Sequence, residues 1–468
     1  MTKKHAYLVG IKGVAMTALA VLLKEKGYKV SGSDVEEVFP TDHILASIGI
    51  KVLQGFKQEN INRKFDVVIV TGAHGGMTNI EAQTAHKMGI PTYMQGEFLG
   101  KVMSDKIGIS VCGCHGKTTT SALIASLLTQ GGLNPSFAVG CGSINDLGAA
   151  GHWGTGRYFI AEADEYMTCP QTCKIPRFMW QKPQFIVLTN IDYDHPDAFK
   201  NLEEVISAFK NFTNNLTNDG LLVACIDDKN TSTFLSQINK KVITYGFSPR
   251  ADYRITNMHF AQGVSFMRVA FGNTQIGEFM IKIPGKHNLL NALAGAIIAN
   301  INGISWERIK EYLKNFTGTK RRFEKIGEYG GKLFYDDYAH HPSEITATIA
   351  GVKEWFPDKR LVVIFQPHTF SRTKSLLAEF AKSFLLADLV LLTDIYPSAR
   401  ESYDATISSK KLAIESNKHK KNVIYGGKKE SVLTFLSKNL TENDLLLTMG
   451  AGDIFLWQED LKFLLNNL

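Results

Sequence analysis

The chain has 468 residues, is 44% hydrophobic and 21% charged, and carries a formal net charge of +7. This composition is typical of a globular protein with about three domains, and the scattered Lys and Arg residues argue against nucleic-acid binding. No apolar stretch reaches the ~18 residues that a membrane span needs, and the apolar run near the N-terminus is too short for a signal peptide. We therefore expect a cytoplasmic protein with no membrane partner, whose six cysteines are free thiols.

The first segment opens with a predicted βαβ unit. Residues 5–10 predict a buried strand, residues 14–26 an amphipathic helix that Gly27 ends, and residues 28–34 a second strand. Further strands are predicted at 66–73 and 91–94.

The turn "GIKGVAM" in this unit resembles a loosened dinucleotide-binding fingerprint. Gly10 and Gly13 would let the backbone approach a diphosphate at a helix N-terminus, and Asp34 stands near the place of a ribose-binding acid. A tight turn without a ligand is the alternative that this pattern leaves open.

A second segment begins with an apolar strand followed by "GCHGKTTT". The usual P-loop has a glycine where this chain has Val111, so the arch between Gly113 and Gly116 is shorter. Lys117 can reach phosphate oxygens and Thr118 can bind Mg²⁺, while the apolar helix that follows directs its N-terminal N–H groups at an anion. The pattern predicts a phosphate site with a short arch.

Two later apolar strands end in residues that can bind Mg²⁺. The strand in "YFIAEADEY" ends in the acids Glu162, Asp164 and Glu165, and the strand in "FIVLTNIDYDH" is followed by His195. Ligands gather at the carboxyl ends of parallel strands, and Mg²⁺ prefers oxygen ligands. We therefore expect these side chains to lie near the phosphate site.

The C-terminal third alternates strand and helix. Strands are predicted in "KLFYDDY", "RLVVIFQPH", "DLVLLTDIY", "NVIYGG" and "DLLLTMGAGD", with helices at 343–356, 373–387, 406–416 and 429–438. Such alternation predicts a parallel sheet that is covered on both faces. We predict an α/β fold of three domains: a Rossmann-like domain at 1–104, a P-loop ATPase-like domain at 105–316 and a Rossmann-like domain at 317–468.

Seven motifs, in one order along the chain, resemble those of the Mur ligases, the ATP-dependent family that adds amino acids to the peptidoglycan precursor. The motifs occur at 115–120, 162–165, 194–195, 287–292, 318–323, 336–342 and 365–373. The shortened G-x-x-G-K-[ST] loop is a hallmark of that family. The resemblance implies that the first domain binds a UDP-linked substrate, the second ATP, and that the third closes over ATP and binds the amino acid.

The resemblance also implies a role for each matching position. The residues that the resemblance implies for catalysis are Lys117, Glu162, His195, Arg322 and Asp337. The residues that it implies for ATP binding are Gly113, Cys114, His115, Gly116, Lys117, Thr118, Thr119, Asn288, Asn291, Arg322 and Asp337. The ligands of Mg²⁺ that it implies are Thr118, Glu162 and His195. The substrate-binding residues that it implies are Gly10, Gly13, Ser33, Asp34, His341, His368 and Arg372.

The implied reaction joins L-alanine to UDP-N-acetylmuramate through an acyl phosphate, in a monomer or homodimer. His195, Asp337 and His341 are all candidates for the group that takes the proton of the amine.

Two other functions remain open from the sequence. The chain departs from the family pattern at Lys12, Ala15 and Thr369 and in a longer segment after Glu165. That longer segment leaves muropeptide recycling as an alternative, in which the amine is the tripeptide L-Ala-γ-D-Glu-meso-diaminopimelate. A nucleotide-dependent oxidoreductase is a distant alternative, because it would explain only the turn "GIKGVAM".

Overall fold

The computed structural model describes residues 3–195, 197–261, 263–397 and 401–468. Its strands form sheets of five, ten and six strands and one separate hairpin, which confirms the predicted α/β fold class. The chain folds into two compact units. One contains the described residues of Met1–Met258, Met267–Ile281 and Leu290–Thr319, and the other those of His259–Phe266, Lys282–Leu289 and Lys320–Leu468.

The N-terminal sheet is parallel throughout. Its strands are β1 (His5–Val9), β2 (Lys29–Asp34), β3 (Val52–Gln54), β4 (Val67–Val70) and β5 (Thr92–Met94), and its helices are α1 (Val14–Glu25), α2 (Asp42–Ser47), α3 (Ile80–Lys87) and α4 (Gln95–Met103). The strand order 3-2-1-4-5 is that of a Rossmann-like sheet. Alternate residues of β1 and β4 enter different hydrophobic clusters, because both faces of the sheet are covered.

The central sheet has ten strands. The strands of this region are β6 (Ile107–Cys112), β7 (Ser136–Ala138), β8 (Gly151–His152), β9 (Tyr158–Glu162), β10 (Met167–Cys169), β11 (Cys173–Pro176), β12 (Phe185–Leu188), β13 (Leu221–Cys225), β14 (Lys241–Gly246), β15 (Tyr253–Ala261), β16 (Val264–Phe271) and β17 (Thr274–Ile281). Its helices are α5 (Lys117–Gln130), α6 (Leu202–Thr213), α7 (Lys229–Leu235), α8 (Lys286–Ile301) and α9 (Trp306–Asn315). The sheet order is 17-16-15-14-13-12-6-9-7-8, and β10 and β11 form the separate antiparallel hairpin.

The register of the central sheet brings three strand ends together. β6 lies between β9 and β12 and is parallel to both. Val111 lies opposite Glu162, and Cys112 lies opposite Leu188. The residues that follow these strands therefore meet at one edge of the sheet.

The N-terminal and central sheets share a hydrophobic cluster, and the N-terminal sheet and strands β6–β14 belong to one compact unit. Leu19 and Leu22 of α1 pack in the same cluster as Phe159 of β9. Gly151 approaches the backbone of Ala18 so closely that any side chain there would collide with the Ala18 carbonyl. Apolar burial of this kind contributes roughly 25 cal/mol per Å² of buried surface.

The second compact unit contains the six-stranded sheet. Its strands are β18 (Glu324–Tyr329), β19 (Lys332–Asp337), β20 (Arg360–Phe365), β21 (Leu389–Thr393), β22 (Val423–Gly427) and β23 (Asp444–Met449). Its helices are α10 (Pro342–Trp355), α11 (Phe370–Ser375), α12 (Leu377–Ser383), α13 (Ser409–Asn417), α14 (Lys429–Asn439) and α15 (Gln458–Asn466). The strand order is 18-19-23-20-21-22.

Two predictions for this unit were wrong in detail. The helix predicted at 373–387 is two helices, α11 and α12, because the backbone leaves helical values at Leu376 (φ −111) and Leu376 enters the core beside Phe380. The predicted parallel sheet carries an antiparallel edge strand, β18. Gly330 and Gly331 both adopt positive φ in the two-residue turn between β18 and β19, which is the geometry that a tight hairpin requires.

Among the residues that the structure describes, no helix is both long enough and apolar enough to cross a membrane.

Candidate active site

The short arch of residues 113–116 joins β6 to α5. Gly113 (φ 131) and Gly116 (φ 82) take backbone conformations that suit glycine. A Cβ on Gly113 would collide with Thr189 Oγ1, and a Cβ on Gly116 would lie only 2.7 Å from Asn291 Oδ1. The arch therefore needs both glycines.

The residues after β12 hold this arch in place. Asn190 accepts a hydrogen bond from His115 N at 2.9 Å and donates one to His115 O at 2.9 Å, while Thr189 Oγ1 donates to the same carbonyl at 2.6 Å. Cys114 N donates to Asn190 O at 3.4 Å. Two amides of the arch thus already have acceptors, whereas the amides of residues 117–119 precede the first hydrogen bond inside α5 and are available to an anion.

Lys117 lies across the arch and meets a carboxylate that follows β9. Its Nζ donates to Gly113 O at 2.6 Å and to Glu165 Oε2 at 2.8 Å. The two side chains of this ion pair are 11% and 1% exposed. Burial would lower the pKa of Lys117, but Glu165 and Asp164 raise it above its usual value, so the arch holds a cation.

Thr118 and Glu162 bring a hydroxyl and a carboxylate together where β6 and β9 end. Thr118 Oγ1 donates to both carboxylate oxygens of Glu162, each at 3.1 Å, and Gly140 N donates to Glu162 Oε2 at 2.9 Å. Oxygen donors of these two kinds are what Mg²⁺ prefers in proteins. Two of the three residues implied as metal ligands therefore lie side by side.

His195, the third implied ligand, belongs to a neighbouring group with Asp164 and Glu165. One ligand atom of each residue lies within 4.8 Å of the other two, and His195 Nε2 is 3.7 Å from Glu165 Oε1. Burial would raise the pKa of Asp164, but Arg177, Lys117 and His195 hold it at about 2, so this carboxylate is ionised. The sequence pattern placed Asp164 and Glu165 among the acids able to bind Mg²⁺ near the phosphate site, and the family resemblance assigned neither of them a specific role.

The turn after β1 is tightly built around its first glycine. Gly10 adopts φ 78, and a Cβ there would collide with the side chain of Thr71. Gly13 adopts φ −57, and the nearest atom to a Cβ there would be 3.9 Å away. Only Gly10 is therefore required by the folded backbone, and any need for Gly13 has to come from a ligand.

Asp34 and Ser33, at the end of β2, are both buried and hydrogen-bonded. Asp34 accepts from Lys12 N at 2.7 Å and from Val35 N at 2.8 Å, and His74 Nε2 lies 3.6 Å from its Oδ1. Burial raises the pKa of Asp34, and Ser33 Oγ donates to a carboxylate oxygen of Glu81. Both side chains therefore shape the turn after β1, and their contact with a nucleotide stays a prediction.

The two arginines before β18, in the second unit, have different environments. Arg321 is buried, and its Nε donates to Asp336 Oδ2 at 2.9 Å. The side chain of Arg322 is 28% exposed, and its guanidinium lies 5.3 Å from the ring centroid of Tyr338. Of the pair, Arg322 has the more exposed side chain, as its implied role in ATP binding requires.

Asp337 is held at the end of β19 by two backbone amides. Its Oδ2 accepts from Phe323 N at 2.8 Å and its Oδ1 from Ala339 N at 2.7 Å. Burial raises the pKa of Asp337 to about 6. The carboxylate thus fixes the loop that carries Arg322, and it is poised to exchange a proton near neutral pH.

The remaining implied residues are held by local hydrogen bonds, by ring stacking or by burial. His341 Nδ1 accepts from Ser343 N at 3.3 Å and caps α10, the ring of His368 stacks on that of Tyr396 at 5.8 Å, and Arg372 of α11 is buried. Asn288 Nδ2 donates to Pro284 O at 2.7 Å. Their roles toward substrate or ATP stay predictions.

Comparisons with known proteins cover almost the whole chain. Residues 5–107 match the catalytic domain model of the Mur ligase family, residues 111–299 the Mur ligase middle domain, and residues 321–452 the glutamate ligase domain of Mur ligases. A UDP-N-acetylmuramate–L-alanine ligase of Desulfitobacterium hafniense is 40% identical over 96% of this chain and 98% of that protein. One from Geobacter sulfurreducens is 38% identical over 98% of this chain and 96% of that protein.

Solved structures resemble the fold over its full length. The crystal structure of UDP-N-acetylmuramate–alanine ligase from Thermotoga maritima superposes with a TM-score of 0.80 at 28% identity, covering 97% of each chain. A murein peptide ligase from Psychrobacter arcticus superposes with a TM-score of 0.72 at 23% identity, covering 99% of each chain, and this similarity concerns the fold alone.

Proposed function

The chain belongs to the Mur ligase family, and from this premise we propose that it uses ATP to join L-alanine to the carboxylate of UDP-N-acetylmuramate. The observation that carries the proposal is the convergence of Lys117, Thr118 and Glu162 at one edge of the central sheet. Its relatives that are named as L-alanine ligases align over 96% and 98% of the chain, which favours L-alanine as the amine.

In the first step, an oxygen of the substrate carboxylate attacks the γ-phosphorus of ATP. The bond between that phosphorus and the β,γ-bridging oxygen breaks, so ADP leaves and an acyl phosphate forms. Negative charge is spread over the transferred phosphoryl group during this step. Lys117 Nζ and the free amides at the start of α5 supply positive charge where those oxygens would lie.

The donor atoms at this edge of the sheet suit Mg²⁺. Thr118 and Glu162 would hold one ion through oxygen atoms alone, and His195, beside Asp164 and Glu165, would hold a second. Bound Mg²⁺ would neutralise charge on the phosphate oxygens. The buried pairing of Lys117 with Glu165 keeps the lysine in place before ATP binds.

In the second step, the amine nitrogen of alanine attacks the acyl carbon, the amide bond forms and phosphate leaves. The amine must lose a proton, which requires a base within hydrogen-bond reach. His195, Asp337 and His341 are the candidates. Because its pKa is about 6, Asp337 would be mostly ionised at neutral pH and able to accept that proton.

We assign the UDP-linked substrate to residues 1–104, ATP to residues 105–316, and closure over ATP with amino-acid binding to residues 317–468. Arg322, Asn288 and Asn291 would contact ATP. The residues proposed to contact the other substrates are Gly10, Gly13, Ser33, Asp34, His341, His368 and Arg372. A cytoplasmic location and a monomeric or homodimeric state stay predictions.

The experiment that tests this function measures phosphate release from ATP with Mg²⁺ and UDP-N-acetylmuramate. The amines compared are L-alanine, glycine, L-serine and the tripeptide L-Ala-γ-D-Glu-meso-diaminopimelate, with a reaction lacking any amine as the blank. We expect release with L-alanine and little with the tripeptide. Release with the tripeptide alone would assign the enzyme to muropeptide recycling, and no release with any amine would contradict the proposal.

A further inference from the structure

The hairpin of β10 and β11 links the ATP-site end of β9 to the N-terminal sheet. Phe178 N donates to Asp164 O at 3.0 Å and Arg177 N donates to Tyr166 O at 3.0 Å, so the loop closes on itself beside the acids of the site. At its far end, Cys169 is fully buried in a hydrophobic cluster of the N-terminal sheet that also contains Val70. The hairpin therefore spans from one candidate binding region to the other.

Glycines of the N-terminal segment make room for this hairpin. A Cβ on Gly72, just after β4, would collide with the carbonyl oxygen of Thr168. A Cβ on Gly100, in α4, would likewise collide with the carbonyl oxygen of Trp180, in the helical turn that follows the hairpin. Contacts this close between backbones fix the position of the hairpin relative to the carboxyl edge of the N-terminal sheet.

Arg177 lies at the junction and uses only part of its guanidinium. Its Nη1 donates to Asp164 Oδ2 at 2.9 Å, and the guanidinium lies 5.7 Å from the ring centroid of Tyr166. Its Nη2 faces the loop after β4, 3.4 Å from where a Cβ of Gly72 would be. In the described part of the chain, no acceptor bonds to its Nη2 or Nε, although the side chain is only 24% exposed.

We propose that Arg177 binds an anionic group of the sugar nucleotide and thereby directs the substrate carboxylate toward the ATP site. Ligands of open parallel sheets lie at the carboxyl ends of the strands, which is where Nη2 points. A guanidinium that already pairs with one carboxylate still has a second edge suited to a carboxylate or a phosphate. The inference rests on the proposed function, because it takes UDP-N-acetylmuramate as the ligand.

Steady-state kinetics with three variants test the proposal. Arg177→Met should raise the KM for UDP-N-acetylmuramate at least ~10-fold, because it removes a charged hydrogen-bond donor, and should leave the KM for ATP within about 2-fold. Arg177→Lys, which keeps the charge but not the fork of donors, should recover part of the affinity. Lys174→Met is the matched control, because Lys174 is an exposed cation of β11, three residues before Arg177, and it should behave as the wild type.

Binding of two sugar nucleotides identifies the anion. UDP-N-acetylglucosamine carries the diphosphate but lacks the carboxylate of UDP-N-acetylmuramate, and calorimetry compares both ligands with each variant. An equal loss of affinity for the two ligands in Arg177→Met assigns the diphosphate, and a loss for UDP-N-acetylmuramate alone assigns the carboxylate.

Four outcomes would overturn the inference. Unchanged binding of both ligands by Arg177→Met would remove the role of Arg177 while leaving the proposed function intact. Equal weakening of ATP and sugar nucleotide, or the same effect in Lys174→Met, would show a structural disturbance instead. Absence of both turnover and binding of UDP-N-acetylmuramate in the wild type would refute the proposed function, and this inference would fall with it.

Discussion

Two glycine-bearing turns, one after β1 and one after β6, each join a central parallel strand to a helix and each carry a lysine. Lys12 Nζ, in the first turn, donates to the carbonyls of Val35 and Glu37 at 3.0 and 2.9 Å. Lys117 Nζ, in the second, pairs with the buried carboxylate of Glu165 beside Thr118. The first lysine is held by backbone carbonyls that follow β2, whereas the second also pairs with a buried carboxylate that follows β9, beside the metal-competent acids. The chemical kind of the lysine's partner, a backbone carbonyl or a buried carboxylate, therefore distinguishes the two turns better than the glycine pattern does.

The largest expected effect comes from removing the second lysine. Lys117→Ala should reduce phosphate release at least ~1,000-fold, because a preorganised charge at the transferring phosphoryl group is lost. Binding of UDP-N-acetylmuramate should stay within about 2-fold of wild type, since Lys117 belongs to the ATP site. A coupled phosphate-release assay and calorimetry with the sugar nucleotide measure the two quantities.

Lys12→Ala is the matched control for that comparison. It removes the same side chain from the first turn and should weaken sugar-nucleotide binding and lower stability, but kcat at saturating substrate should stay within about 3-fold. If Lys12→Ala lost turnover as deeply as Lys117→Ala while keeping its native circular dichroism, the distinction between the two turns would be wrong.

A measurement of unfolding free energy distinguishes the structural roles of the two glycines in the first turn. Gly10→Ala should lower the free energy of unfolding by about 2–4 kcal/mol, because it combines positive φ with a collision against Thr71. Gly13→Ala should change it by less than about 1 kcal/mol, since its backbone is ordinary and its Cβ has space. Urea denaturation of both variants provides the test, and equal destabilisation would contradict the backbone description of this turn.

Much of the scaffold around both turns was predictable, because apolar runs bounded by glycine predict β1, α1, β6 and α5 within a residue or two. The partners of the two lysines could not be predicted, because they are distant in sequence. Lys12 and Val35 are 23 residues apart, and Lys117 and Glu165 are 48 residues apart. The hairpin escaped prediction for another reason. Strands of three and four residues carry too short a pattern, and the burial of Cys169 comes from the N-terminal sheet.

The first turn also depends on Asp34, which accepts from the Lys12 amide. Asp34→Ala should weaken UDP-N-acetylmuramate binding about 10-fold, because two backbone amides lose their acceptor and His74 loses the carboxylate that lies 3.6 Å from its Nε2. The KM for ATP should stay within about 2-fold, since the second turn is left unchanged. An equal loss for both substrates would contradict the assignment of the first turn to the sugar nucleotide.

The smallest expected effect concerns the thiols beside the second turn. Burial raises the pKa of both Cys112 and Cys114, and Cys114 Sγ donates to Asp192 O at 3.0 Å. Because only the thiolate reacts, each pKa unit above the pH lowers its fraction about tenfold. Iodoacetamide at about pH 7.5 should therefore label the half-buried Cys173 before either of them, as peptide mass spectrometry can measure. If Cys114 were labelled before Cys173, and if ATP slowed that labelling, the arch of residues 113–116 would have to open in solution. The hydrogen bonds between the arch and Asn190 would then describe only one state of the arch.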